Sequence, residues 1–354
     1  MTGIGEVLEA ARRARGMTQE ELAEAAQVTQ AALSRYEHDL RAPEPDVLEQ
    51  LARALGVTPE LLQHGDRMRG GIAVTAHMRR RATAKVSVWR SLEARLNMLR
   101  LHTKALRSEV GLRAELQVPA FDPAIDEPQD AARMVRLQWH MPVGPVHSLA
   151  AWMEAAGILI FEEDFGSAAR VDGLSQWSDD YAVVMLNSAA PPDRKRLTLA
   201  HELGHLVLHS QYTDGDLEGH ANAFAAELLM PAEEIKPMLR SRLTLARFVE
   251  LKRYWGTSIA ALIERAYQLG VLSSAERASL YKQMNNRRWR IHEPASDEVP
   301  IEAPRLVQHV ADQLAAKGLD DDEIARLAGF SSPEENQLFV PRRPDSPWRH
   351  LTSV

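Results

Sequence analysis

The chain has 354 residues, of which 45% are hydrophobic and 26% charged, with a net charge of -7 and no cysteine. That length allows two or three domains with buried cores, and the lack of thiols excludes disulfides and thiolate metal sites. No apolar run reaches the roughly eighteen residues that a bilayer requires, and Met1 to Gly16 reads as a charged helix rather than a signal peptide, so the expected location is the cytoplasm, with no membrane partner.

The charge is unevenly spread. Residues 1–65 carry 6 Arg and no Lys against 11 acidic residues, whereas 66–115 carry 12 Lys and Arg against 4. With the Pro-rich stretch at 119–128, this divides the chain into an N-terminal module (1–65), a basic helical linker (66–118), a main domain (119–292) and a C-terminal helical extension and tail (293–354).

From Ile4 to Leu62 the pattern is a bundle of short helices. Thr18 with Glu21 three residues later makes a capping box, and Gly16 and Gly56 sit where chains leave helices. The second and third helices are separated by only a few residues around Gln27 and Val28, which is helix-turn-helix geometry. The stretch MTQEELAEAAQVTQAALSRYEHDLRAP resembles the Xre/Cro-type family. The resemblance implies double-stranded DNA as a partner, with Thr29, Gln30, Ala31 and Ser34 toward base edges and Gln19 at a phosphate. Arg35 adds a cation to the recognition segment, but the module is acidic overall, so its binding needs help from dimerisation or from the basic neighbour. The other reading of the module is a protein-contact bundle.

After Gly70-Gly71 comes the cluster Arg79, Arg80 and Arg81, either a solvated face or a phosphate contact. Trp89, Leu92, Leu96, Leu99, Thr103, Leu106 and Val110 then follow a 3-4 spacing. This seam is either the core of a homodimer coil or a helix laid on the rest of the chain.

Beyond the Pro-rich stretch, helices are expected near 129–140 and 147–156. Three strands follow, in ILIF, ARVDGLSQW and YAVVMLNS, forming a small sheet. The last of these, with Val183, Val184, Met185 and Leu186, reads as an exposed sheet edge able to hold an extended peptide.

Pro191 to His209, PPDRKRLTLAHELGHLVLH, reads as one helix started by Pro192. His201 and His205 are four apart, so both imidazoles leave one face, one turn apart, where they can grip a zinc ion. Glu202 lies beside the metal rather than on it, where a carboxylate can act as a general base. His209 reads as a supporting or packing residue. A catalytic zinc site needs a third protein ligand and an open position. The helix from Asp216 to Met230 offers two candidates, Glu218 and His220.

HELGHLVLH followed by EGHANAFAAELLMP resembles the ImmA/IrrE family of metallo-endopeptidases, whose members cleave repressor proteins. The likeness extends to MPVGPVHSLAAWMEAAGILIF, RVDGLSQW, LKRYWGTSIAALIERA and the WRIHEP run at Trp289. It implies zinc on His201, His205 and Glu218, with Glu202 as the base. His220 stands where many members carry a second acid.

The expected architecture is multidomain: an all-α helix-turn-helix domain followed by a mainly helical α+β zincin-like metallopeptidase domain with a small three-stranded sheet. The expected function is a DNA-binding regulator with zinc-dependent endopeptidase activity on a regulatory protein such as a repressor. The alternative is a transcription factor whose metal site is structural or sensory and does not cut. Asp320 to Phe330 reads as a capped surface helix, and Val340 to Val354 as a loosely ordered tail.

Overall fold

The computed structural model describes residues 4–63, 86–111, 113–166, 171–178, 180–209, 215–290 and 292–342. The chain divides into two compact units, each drawn from separate stretches. Among the described residues no helix is long and apolar enough to cross a membrane.

The first unit joins residues 1–69, 90–113 and 305–354. Its N-terminal part holds α1 (Gly5–Ala14), α2 (Gln19–Ala25), α3 (Gln30–Glu37), α4 (Pro45–Leu55) and α5 (Pro59–Gln63). The capping box at Thr18 and Glu21 starts α2, Thr29 caps α3, and Gly56 ends α4 in the left-handed region. Leu8, Leu22, Leu33, Leu51 and Leu62 are wholly buried between these helices. A long helix, α6 (Val86–Val110), adds Ala94, Met98 and Leu101 to the same core, a 4-3 spacing that lays one helix face on the module.

The expected seam positions Trp89, Leu92, Leu96, Leu99, Thr103 and Leu106 are buried within the single chain, which is the intramolecular alternative. Arg79, Arg80 and Arg81, and residues 343–354 of the tail, lie outside the described residues.

The C-terminal stretch returns to this unit as α15 (Leu306–Ala316) and α16 (Asp321–Leu327), numbered after the helices of the second unit below. The units therefore cut across the divisions at 66–118 and 293–354. Far from being a surface element, α16 buries Ile324 and Ala325 completely. Phe330 bridges Val57, Thr58 donates its N–H to the Gly329 carbonyl at 2.9 Å, and Ser331 donates to the Gly56 carbonyl at 3.1 Å. His102 of α6 joins them. It donates from Nδ1 to the Ala328 carbonyl at 2.7 Å and stacks on Phe330 with ring centroids 3.9 Å apart. Burial lowers its pKa to about 4, against the rise that the Ala328 hydrogen bond favours.

The second unit spans 114–304 together with 70–89. It contains α7 (Pro128–Gln138), α8 (Leu149–Ala155), β1 (Ile158–Glu163), β2 (Gly173–Ser178), β3 (Tyr181–Asn187), α9 (Pro192–Leu208) and α10 (Leu217–Leu229). After these come α11 (Ala232–Ile235), α12 (Leu245–Trp255), α13 (Ile259–Gln268) and α14 (Ser274–Asn286). The sheet order is β1-β3-β2, with β1 parallel and β2 antiparallel to β3.

This order corrects the expectation for Val183, Val184, Met185 and Leu186. They lie on the central strand, hydrogen-bonded on both sides and fully buried, and cannot receive a further strand. A continuous apolar run is what a strand covered on both faces requires, whereas a half-exposed strand alternates. The edges of the sheet are β1 and β2.

Buried ion pairs tie the irregular, turn-rich stretch 292–304 to the helices that carry the site. Lys252 of α12, fully buried, binds Asp193 at 2.7 Å and Glu293 at 2.8 Å. Arg196 of α9 binds Glu302 at 2.6 Å, and Glu302 also accepts the Ala150 N–H at the start of α8. Removing one partner of such a pair would strand a buried charge, so these pairs hold the first turns of α9 in place.

Candidate metal centre and helix-turn-helix face

Two close approaches place the side chains of the centre. Gly204 lies where α9 meets α10, and a Cβ there would come within 3.1 Å of the Phe224 ring and 3.2 Å of the Ala221 Cα. Gly173 plays the same part between β2 and α9, since a Cβ would stand 2.4 Å from the Thr198 side chain and 3.2 Å from Glu202 Cγ. A Cβ at Gly173 would force Thr198 to shift and one at Gly204 would press on Phe224 and Ala221, so glycine lets the three elements approach this closely.

With that spacing, α9 and α10 bring three donors together. His201 and His205 face each other with Nε2 atoms 3.1 Å apart. Glu218, in the first turn of α10, lies 3.5 Å from His205 Nε2 and 3.7 Å from His201 Nε2. One ligand atom from each of the three falls within 4.8 Å of the others. Two imidazoles on a tetrahedral ion at about 2.0–2.1 Å have nitrogens roughly 3.3 Å apart, so the donor set fits a metal ion with a fourth position open.

Their other nitrogens are held as well. His201 Nδ1 lies 3.0 Å from Asn222 Oδ1, which can only accept, so the ring is protonated at Nδ1 and its Nε2 lone pair faces the centre. His205 Nδ1 lies 2.9 Å from Nδ1 of the buried His209. For His205 to present a free Nε2 pair, His209 must accept at Nδ1. His220 points elsewhere: its ring stacks on His209 with centroids 5.8 Å apart, and it is not in the three-residue group.

Glu202 is buried and accepts a hydrogen bond at Oε2 from Ser175 Oγ, 2.7 Å away and itself buried on β2. It opens with His201, Thr198, Leu197 and Asn222 onto a cleft of about 140 Å³, whose other wall is Val171, Asp172 and Gly173 at the entry to β2. That is room for a few waters or one peptide unit, a water occupying about 30 Å³. Ser175 carried no signal in the sequence, because its partner is 27 residues away. Asn222 was visible only as part of the ExxAN spacing.

In the first unit, Gln19 begins α2, Thr29 and Gln30 begin α3, and Ser34 and Arg35 lie in the later half of α3. Gln30 Nε2 donates to Gln19 Oε1 at 2.7 Å, and Gln19 Nε2 donates to Glu37 Oε2 at 2.7 Å. Glu37 is gripped by both Nε and Nη2 of the buried Arg12, which fixes the row from beneath. Thr29 accepts the Ala32 N–H as the cap of α3, Arg35 is exposed and Ser34 half-buried.

Residues 8–62 match the family model described as helix-turn-helix, and residues 153–267 match the IrrE N-terminal-like domain. The chain carries both domains. Over 75 residues it is 39% identical to the radiation response metalloprotease IrrE of Deinococcus radiodurans, covering 17% of this chain and 23% of that protein. Over 78 residues it is 37% identical to the protein of the same name from Deinococcus deserti, covering 18% and 27%. The chain thus spans about a quarter of the length of the curated relatives it matches. The IrrE-like match contains α9, α10, the whole sheet and every residue of the centre. The helix-turn-helix match contains Gln19, Thr29, Gln30, Ser34 and Arg35.

Proposed function

We propose that the chain is a cytoplasmic DNA-binding regulator that is also a zinc-dependent endopeptidase, acting on a regulatory protein such as a repressor. The observation that carries this reading is the meeting of His201, His205 and Glu218 beside the buried Glu202 in an open cleft. In it, His201, His205 and Glu218 hold zinc, and Glu202 is the base. The relatives' description as metalloproteases supports it. Gln19, Thr29, Gln30, Ser34 and Arg35 meet the DNA, with Gln30 suited to adenine.

When bound, zinc would acidify a water and polarise the scissile carbonyl. Glu202 takes the proton of the attacking water and delivers it to the departing amine. Ser175 keeps one carboxylate oxygen occupied, which restricts Glu202 to one orientation. The substrate backbone lies in the cleft, against the wall of Val171, Asp172 and Gly173 at the entry to β2.

The test is metal analysis of the purified chain, followed by incubation with repressor proteins encoded beside it. Stoichiometric zinc and a discrete cut that a chelator abolishes are expected. A zinc-loaded chain that binds DNA yet cuts none of them would favour a structural or sensory metal. For the ligand set, Glu218→Ala is expected to lower zinc affinity by more than the roughly 10–100-fold that loss of a supporting residue brings. His220→Ala should retain the ion. Chelator-competition titration of both variants measures this, and an empty His220→Ala protein would remove Glu218 as the third ligand.

A further inference from the structure

Residues 277–292 hold five Lys and Arg and no Asp or Glu, in a chain with an acidic balance overall. They lie on α14 and just after it, beyond the residues of the IrrE-like match. Arg277 is neutralised by Glu264 at 2.8 Å. Lys282, Arg287, Arg288 and Arg290 are exposed and have no carboxylate partner among the described residues. The flanking acids are engaged elsewhere. Glu276 closes the capping box of α14 with Ser273, and Glu293 binds Lys252 and the N–H groups of Ile259 and Ala260.

Basic residues at a helix C-terminus have an ordinary role, since they complement the helix dipole and bond the last carbonyls. Arg287 does this by donating to the Gln283 carbonyl at 3.3 Å. That role needs one arginine and explains neither the other three cations nor their arrangement. Arg287 Cζ lies 5.7 Å from the Trp289 ring centroid and Arg290 Cζ 5.3 Å from that of Tyr281. Such stacking restrains the side chains while leaving N–H edges for an acceptor. Arg288 has a φ of 57, in the left-handed region where glycine or asparagine would be less strained. The chain keeps a cation there at a conformational cost.

The partner must offer repeated, strongly accepting anions without an apolar anchor, because Trp289 and Tyr281 lie partly buried against the core and under arginines. A protein interface draws its affinity from buried aromatic or aliphatic anchors, whereas a phosphate backbone needs only placed charge. The helix-turn-helix module lacks that charge, with 6 Arg against 11 acids in residues 1–65. We propose that Lys282, Arg287, Arg288 and Arg290 form a second, sequence-independent contact with the DNA phosphate backbone. The contact rests on the reading of the chain as a DNA-binding protein.

The experiment measures binding of the intact chain to a random-sequence duplex between 50 and 300 mM KCl, roughly the range over which counterion release is resolved. Replacing Arg287, Arg288 and Arg290 together by Gln should reduce the salt slope by about 2.7, at about 0.9 for each phosphate contact, and weaken binding at least about tenfold at moderate salt. Replacing the same three by Lys should keep the slope. Arg288→Gly alone should reduce it by about 0.9 while the melting temperature holds or rises, which separates loss of contact from loss of fold. An unchanged slope in the Gln variant would overturn the proposal, as would a native chain that does not bind the random duplex. It would also fall if the Gln variant lost binding to polyglutamate but kept its DNA slope, since the patch would then serve an acidic protein. Gln30→Ala should reduce preference for a selected duplex and leave the slope intact. If the native chain shows no such preference, the reading of α3 as the base-reading helix fails while the backbone contact stands.

Discussion

Glu202→Gln should keep its metal and slow peptide cleavage by at least about a hundredfold, the usual loss when a general base is removed. The substitution preserves size and can keep the hydrogen bond from Ser175 Oγ, now to an amide oxygen, so the contact between β2 and α9 survives. His201, His205 and Glu218 are untouched, and the ion should bind as before. What disappears is a group able to take a proton in the cleft. Zinc content by elemental analysis, together with the initial rate on the natural substrate, decides the matter. A variant that cuts at the native rate would sink the role given to Glu202, and one that loses its zinc would show the carboxylate to be a ligand instead.

Acidification from pH 7 to pH 4 should remove about 3 kcal/mol of stability from the helical unit through His102 alone. Burial depresses the pKa of this histidine to about 4, while an unfolded chain titrates near 6.5. The unfolded state therefore binds the proton first. Stability is fully present above about pH 6.5, falls as the pH drops toward 4, and changes no further below it. The ring sits between the Ala328 carbonyl and the face of Phe330, so a charge there has little water to solvate it. His102→Gln retains a donor for Ala328 and cannot titrate in this range. It should be less stable at pH 7 for want of the stacking, and its stability should vary less between pH 7 and 4.5. Denaturant melts at the two pH values provide the comparison. Equal losses in both proteins would show that other groups drive the acid response.

This effect reaches the helix-turn-helix module because the C-terminal chain folds back onto it. Val57 and Phe330, Thr58 and Gly329, and Gly56 and Ser331 pair across at least 270 residues of intervening sequence. A fragment ending near residue 65 or 118 would lack these partners, so DNA binding is better measured on the intact chain.

Signals contained within one or two helical turns were legible in the sequence. The four-residue spacing of His201 and His205, the capping box at Thr18 and Glu21, and the short link between α2 and α3 each follow from helix geometry, and the structure has them all. The existence of three strands was readable for the same reason. Their order was not, because a strand's neighbours are chosen by distant segments, and so the run at Val183 to Leu186 took the central place rather than an edge. The choice between Glu218 and His220 was also open to the residues alone. It is the crossing of α9 and α10 at Gly204 that turns Glu218 toward the two histidines, while His220 stacks on His209. Ser175 against Glu202, and α15 and α16 against the N-terminal module, likewise exist only in three dimensions. Periodicity and capping are local forces that act along the chain, whereas these contacts depend on which surfaces find each other once the helices pack.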